Sequence, residues 1–305
     1  MKKNYRFLFW IIIALILVPL GLKIFYSFSR SVWDGKQRIN FVIENSRINL
    51  VSYSPTNQEL TLITLPDELL LNVPRGYGEF TARALPKLVS QEKRPELLKE
   101  TIQENFAVPV DGWINVSNFG KENNPRNRVT DAFIAALKLN GLTNLSDWDL
   151  IRFWWAARAV RSSNIQSIDL SDYRCLVEGK LPDGTPIFKL NQEMLDSVIQ
   201  KYFPDDSLCA SNLTVQILNG TDHSGLGQSA SRILTNMGIK IIDVGNMGNG
   251  IEKCEVRGGE ELKNSYIVKK ISGIFNCDWL ELTEKGRSDI IVVIGENYWR
   301  KLNIK

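Results

Sequence analysis

Gly225-x-Gly227-x-x-Ala230 is the stretch of this 305-residue chain most like a phosphate cradle. It follows a strand-like run and opens a helical one, and Asp243 ends the next strand-like run. That is the outline of a dinucleotide site, where glycines let the backbone approach a pyrophosphate. Against it, the glycines come several residues after the strand ends at Asn219, and the β/α unit is short for a two-halved nucleotide sheet. The plainer reading is a strand–loop–helix turn whose glycines permit close packing. His223, the single histidine of the chain, lies in the same loop. With no second His, a His-based metal cluster and a Ser–His–Asp triad are both unexpected, and His223 reads as a solvated loop residue. Asp67 and Glu68 are adjacent, as are Asp205 and Asp206; neighbours on a strand point to opposite faces and do not make an acid–base pair. Asp147 and Asp149 read as residues that favour a helix start.

Cys175, Cys209, Cys254 and Cys277 lack any C-x-x-C spacing, so zinc ribbons and thioredoxin-like sites are without their signature. Their even number and two sequential pairs permit disulfides Cys175–Cys209 and Cys254–Cys277 in an oxidising compartment. Four cysteines allow three connectivities, and four buried thiols are the alternative. No cofactor is expected from these residue types. The 37 Lys and Arg against 34 Asp and Glu leave +3, too balanced for a nucleic-acid binder. Hydrophobic residues at 44% and charged residues at 23% describe a folded chain of about two domains.

Residues 1–6 carry Lys2, Lys3 and Arg6, and residues 7–28 are apolar apart from Lys23 near the far end. As a helix the stretch is about 33 Å long, enough to cross a hydrocarbon core of roughly 30 Å. The expectation is an uncleaved single-pass anchor in the cytoplasmic membrane, with residues 1–6 as a cytoplasmic tail and the body outside the cytoplasm. Lys23, Arg30, Lys36 and Arg38 on the other side weaken the orientation signal. A signal peptide cleaved near Ser27-Phe28-Ser29 is the alternative.

Beyond a polar linker at 30–37, apolar runs over 38–44, 48–53 and 59–66, with a Pro/Asn turn between the last two, predict strands. Helices are expected over 79–91 and 95–106, a strand over 113–117, and a loop over 118–128. A helix over 129–139 stops at Asn140-Gly141, and another within 143–162 starts at the N-cap candidate Ser146. In its 148–160 part, Trp148, Ile151 and Trp155 share one face while Leu150, Trp154 and Ala157 share another. So wide an apolar arc predicts burial between layers, with contact to a membrane or acyl chain as the alternative and Arg152, Arg158 and Arg161 near phosphates. A turn at 182–184, a helix near 191–202 and a boundary at 203–212 precede a fresh β/α pattern. There the strands are 213–220, 239–245 and 289–295, and the helices 225–238 and 265–276.

VQILNGTDHSGLGQSASRILTNMGIKIIDVGN at 215–246, with SDIIVVIGENY at 288–298, resembles the LytR C-terminal domain. The likeness rests on V-x-I-L-N-G-T, the following S-G-L, the helix ending in N-x-G and the closing D-I-x-V-x-I-G-x-x-Y. Residues 50–66, 95–117 and 143–171 resemble a reduced LytR-CpsA-Psr domain. The resemblance implies an α/β fold class: a transmembrane helix at 7–28, a degenerate LytR-CpsA-Psr-like α/β domain at 38–205, and a small α/β LytR C-terminal-like domain at 213–305. Intact members of that family transfer polymers from polyprenyl-pyrophosphate carriers to the cell wall, using acidic residues, Mg²⁺ and arginines that hold the pyrophosphate. Here the family's P-R-D stands as Pro66-Asp67-Glu68, and the acid expected before the preceding strand falls on Ser46. The segment before the second arginine cluster is largely missing between Ser117 and Arg126, leaving Arg126 and Arg128 as its remnant.

An acid in place of a phosphate-binding arginine reverses the interaction. The expectation is therefore a membrane-anchored envelope protein that binds or scaffolds without catalysis. Its expected partners are the membrane and a cell-wall glycan, a lipid-linked glycan or an envelope protein. The alternative is a diverged transferase using Arg75, Arg126 and Arg128, and only that reading calls for Mg²⁺.

Overall fold

The computed structural model describes residues 2–116, 124–138, 142–248, 250–282 and 286–303. Lys2–Ser29 is one helix, α1. Its Phe9–Ser29 part is long and apolar enough to cross a membrane. Phe9, Trp10, Leu15, Val18 and Leu22 on it are all exposed.

The body begins with a three-stranded antiparallel meander, β1 (Ile39–Glu44), β2 (Ile48–Ser54) and β3 (Glu59–Thr64). β1 and β2 are buried along their whole length, with Asn40, Glu44, Asn49, Ser52 and Ser54 buried among their apolar residues. The helix expected over 79–91 starts later. Gly78–Thr81 is a strand, β5, paired antiparallel with β4 (Leu70–Val73), and α2 runs only over Leu85–Glu92. The turn joining β4 to β5 needs positive φ at Arg75, Gly76 and Gly78, and that geometry closes a hairpin where a helix would have to continue. α3 (Glu96–Phe106) follows, then β6 (Gly112–Asn115), parallel to β1.

α4 spans Pro125–Leu137, capped by the Asn124 side chain. It therefore takes up Arg126 and Arg128, which the sequence placed in a loop. Pro125 is the cause, since a proline with its fixed φ suits the first helical position. The Asn140-Gly141 stop and most of the 118–128 stretch lie outside the described residues. β7 (Leu142–Thr143), α5 (Asp147–Ala159) and β8 (Ile165–Ile168) complete a six-stranded sheet of order β7-β6-β1-β2-β3-β8. The hairpin β9 (Leu176–Lys180) and β10 (Pro186–Leu190) and the helix α6 (Gln192–Tyr202) close this half.

Alternation along the strands sorts the core into two layers. Val42, Ile48, Leu50 and Ile63 face α2, α3 and α6. Phe41, Ile43, Val51 and Leu62 face α4 and α5, where Phe133 and Phe153 stack at 5.5 Å. The 30–37 stretch is no free linker: Trp33 stacks on Phe153 at 4.4 Å and is 7% exposed.

α7 (Asp206–Ala210) leads into the second half. Its elements are β11 (Thr214–Asn219), α8 (Leu226–Asn236), β12 (Lys240–Asn246), β13 (Glu255–Gly258), α9 (Tyr266–Phe275), β14 (Asp278–Glu281), β15 (Ile290–Ile294) and α10 (Glu296–Asn303). The sheet order is β12-β11-β15-β13-β14, with β12, β11 and β15 parallel and β13 antiparallel to β15. The short, polar β13 and β14 escape an apolar-run reading altogether.

Cys254 and Cys277 are disulfide-bonded and staple β13 to β14 just ahead of their parallel pairing. The other permitted pair, Cys175–Cys209, does not form. Cys175 is buried in the first core against α6, whereas Cys209 sits on α7 at the domain junction, and both are free thiols. Cys209 has a different contact: Gly238, at φ +88°, passes so close that a Cβ there would collide with its sulfur. The two halves are joined by charged contacts. Arg232 on α8 bonds Asp196 on α6 at 2.7 Å, Lys270 on α9 reaches Asp111 at 2.6 Å, and the Tyr266 hydroxyl donates to Asp205 at 2.7 Å.

Candidate functional site

Polar residues gather where β1, β2 and β3 meet their turns. On the α4/α5 face, Asn49 and Thr64 are register partners on β2 and β3. The Thr64 hydroxyl donates to Asn49 Oδ1 at 2.9 Å, and Arg128 Nη1 reaches Thr64 Oγ1 at 2.9 Å and Asn49 Oδ1 at 3.3 Å. On the opposite face, Asn115 Nδ2 donates to Glu44 Oε2 at 2.6 Å. The period-two alternation of the strands explains the split, because Glu44 shares its face with Val42 while Asn49 shares the other with Val51. The sheet thus separates the acid from the arginine cluster. Asn49, Thr64, Glu44 and Asn115 had not been singled out from the sequence. Their signal is faint: a polar side chain at or next to the end of a strand.

Beside this sheet end lies the Pro66-Asp67-Glu68 turn. Arg83 Nη2 bonds Asp67 at 3.0 Å and Glu68 at 3.4 Å, and Arg47 Nε lies 3.9 Å from Asp67. Expected to diverge as strand neighbours, the two acids instead share one guanidinium, because they sit in a turn after β3. Asp205 and Asp206 do diverge. Asp205 caps α7 and accepts from Tyr266, while Asp206 accepts from Ser54 and Asn57.

The three arginines named from the sequence stand in three places. Arg75, in the β4–β5 turn, forks onto Glu100 of α3 at 2.7 and 2.8 Å, and its backbone N–H reaches the Leu302 carbonyl of α10. The Glu100 carboxylate holds its guanidinium further toward the charged form. Arg126 donates to the Val160 carbonyl and to Ser162 Oγ, tying α4 to the end of α5. Only Arg128 reaches the polar sheet end.

A Mg²⁺ site needs several oxygen donors converging on one point. Among the described residues no three His, Cys, Asp or Glu side chains converge in that way. Ser46 stands where the acid is expected, and Asp67 already faces Arg83 and Arg47. The described residues do not fit the metal.

Burial pushes the Glu44 carboxyl up to about 7. The folded chain keeps that proton in a range where the unfolded chain has released it, so stability falls as pH rises from about 4.5 to 7 and is level above. The loss is at most about 3 kcal/mol. Glu44→Gln is expected to flatten that slope and to be the more stable protein at pH 8. Urea midpoints measured across the interval for both proteins check this. Burial shifts Glu104 the same way, so the difference between the two curves isolates Glu44; identical slopes would remove it as the cause.

The Gly225–Ala230 stretch opens onto a cleft of about 480 Å³ between the domains, lined also by Glu104, Asn72 and Asn303. An acid facing the start of α8 disfavours a phosphate there. Gly227 serves packing instead, with Val244 and Asn219 at 3.4 and 3.6 Å from where its Cβ would stand. His223 is not a free loop residue either. It stacks on Trp299 at 3.9 Å and lies 3.3 Å from Glu296, both on α10. α10 went unread in the sequence, and it covers this loop.

Residues 212–298 match the family described as LytR cell envelope-related transcriptional attenuator. The motifs read at 215–246 and 288–298 fall inside that match. No curated protein matches the chain. Among solved structures it is similar to B. subtilis TagT, with 16% identity over 54% of this chain and 89% of that one, at a TM-score of 0.40. It is also similar to the LytR-CPS2A-psr family protein YwtF (TagT) with bound octaprenyl pyrophosphate lipid, with 16% identity over 54% and 88%, at 0.39. A third is the transcriptional regulator EF0465 from Enterococcus faecalis, with 10% identity over 67% and 89%, at 0.42. The β/α unit carrying β11, α8 and β15 thus falls within the stretch that matches the LytR cell envelope-related family, and it is joined to an α/β body.

Proposed function

We propose that this chain is a single-pass membrane protein of the cell envelope, with its body outside the cytoplasm, that binds or scaffolds and does not transfer polymers. The observation that carries the reading is the Asp67–Glu68 turn with Arg83 across both carboxylates. Where the family resemblance calls for a cation facing phosphate, this chain presents negative charge already paired. Arg75 and Arg126 support the same reading, since both are engaged in joining elements of the fold. The envelope-related domain at 212–298 and the apolar α1 agree with the location. Partners of fitting chemistry are a wall glycan, a lipid-linked glycan or another envelope protein.

The rival transferase reading draws on one cluster, Arg128 with Asn49 and Thr64. Calorimetric titration of the full-length chain in nanodiscs with a polyprenyl pyrophosphate analogue and Mg²⁺ separates the two. No Mg²⁺-dependent heat is expected. Micromolar Mg²⁺-dependent binding lost in Arg128→Ala, accompanied by Mg²⁺-dependent release of the polymer from its carrier by the wild-type chain, would overturn the non-catalytic reading.

A further inference from the structure

We propose that the outer face of α5 is a second membrane contact, lying in the headgroup layer beside the end of α1. The proposal rests on the anchor reading of α1 given above. α5 was expected to be buried between layers, with contact to a membrane or acyl chain as the alternative; only Asp149, Leu150, Phe153 and Ala157 on it are buried. Trp148, Ile151 and Trp155 share the opposite face and are 37, 46 and 72% exposed. The body's remaining tryptophans are buried or half-buried, so its two exposed ones stand on one helix face.

That face continues directly from α1. Phe28 lies 6.2 Å from Trp148, the Ser27 hydroxyl accepts from the Trp148 backbone N–H at 2.8 Å, and Lys23 bonds Asp147 at 3.3 Å. The last two turns of α1 and the residue after it carry what a headgroup belt contains. Lys23 is exposed there, and Arg30 lies over the Tyr26 ring at 4.2 Å. At 1.5 Å per residue Trp155 is about 10 Å along α5 from Trp148. Trp148 is held at the belt by its contacts to Ser27 and Phe28, so the exposed apolar row starts at lipid level. Arg158, exposed and placed over Trp154 at 4.8 Å, adds positive charge on the flank. Aromatic rings flanked by cations are the composition of an interfacial helix, whose rings enter the headgroup boundary while its cations meet anionic lipid. A protein partner would need no such placement beside the end of a lipid-facing helix.

The test uses the full-length chain in phosphatidylcholine/phosphatidylglycerol vesicles, with Cys209→Ser to remove the exposed thiol. Nitroxides are placed singly at Ile151→Cys, at Leu15→Cys in α1 and at Asp183→Cys in the β9–β10 turn. Collisions with oxygen and with a water-soluble nickel complex report their depth. Expected is an Ile151 label that favours oxygen, at a depth between the Leu15 and Asp183 labels. Adding Trp148→Ser and Trp155→Ser should shift it several-fold toward nickel. An Ile151 label as open to nickel as Asp183, with Leu15 in hydrocarbon, overturns the proposal and leaves the anchor standing. A Leu15 label in water overturns both. Shielding of Ile151 from both colliders means that protein covers the face, a second copy or a partner, and overturns the proposal as well.

Discussion

Asp149→Ala is expected to destabilise the first domain by about 3 kcal/mol or more, among the largest effects of any single polar substitution in the chain. The carboxylate is fully buried. It accepts from the Ser31 hydroxyl at 2.5 Å and from the backbone N–H groups of Val32 and Trp33 at 3.0 and 3.3 Å. It also accepts from the Ser146 N–H and hydroxyl at 3.1 and 2.9 Å. Each hydrogen bond to a buried charged group is worth roughly 1.5–3 kcal/mol, and its loss strands a buried donor. Truncation strands several at once, though the effects do not add in full. Asp149→Asn keeps one carbonyl acceptor and should fall between Ala and wild type. Asp147, two residues earlier, half-exposed and paired with the exposed Lys23, should change stability by no more than about 0.5 kcal/mol on truncation. Urea midpoints in detergent test the contrast; similar losses for Asp147→Ala and Asp149→Ala would refute the role given to Asp149.

Asp149 also marks where the sequence stops being readable. Ser146 and the two acids announce a helix start, and the helix does begin at Asp147 with a complete capping box. That signal is local, carried by residues three apart. The other half of the Asp149 role, holding Ser31–Trp33 more than a hundred residues away, has no local signature. The same division holds elsewhere. The β1–β3 meander is legible because recurring apolar residues and a Pro/Asn turn are local signals. Which arc of α5 turns outward is not legible, because Trp148 and Phe153 are equally apolar and only the position of the sheet and α4 separates them. Arg126 and Arg128 were legible as basic residues near a missing segment, but Pro125 drew them into a helix and sent one to α5 and the other to β2 and β3. The Glu44–Asn115 pair depends on a parallel pairing between strands some seventy residues apart, which no spacing in the sequence encodes.

Phe153→Ala should cost about 3–5 kcal/mol, the range for truncating a large buried aromatic side chain. The ring is 2% exposed and meets Trp33 at 4.4 Å, Phe41 at 5.1 Å and Phe133 at 5.5 Å. It therefore joins the segment after α1, the central strand, α4 and α5 at one point. Aromatic contacts of this kind add to the burial term, and the cavity left by alanine cannot collapse easily between a sheet and two helices. Phe153→Leu keeps most of the volume and should lose well under half as much. Trp155→Ala, two residues along the same helix, removes the larger side chain yet should shift stability by no more than about 0.5 kcal/mol, because Trp155 touches little of the fold. Equal losses at 153 and 155 would mean that both faces of α5 are packed. That result would remove the exposed face on which the proposed membrane contact depends, so one pair of denaturation curves bears on the core and on that proposal together.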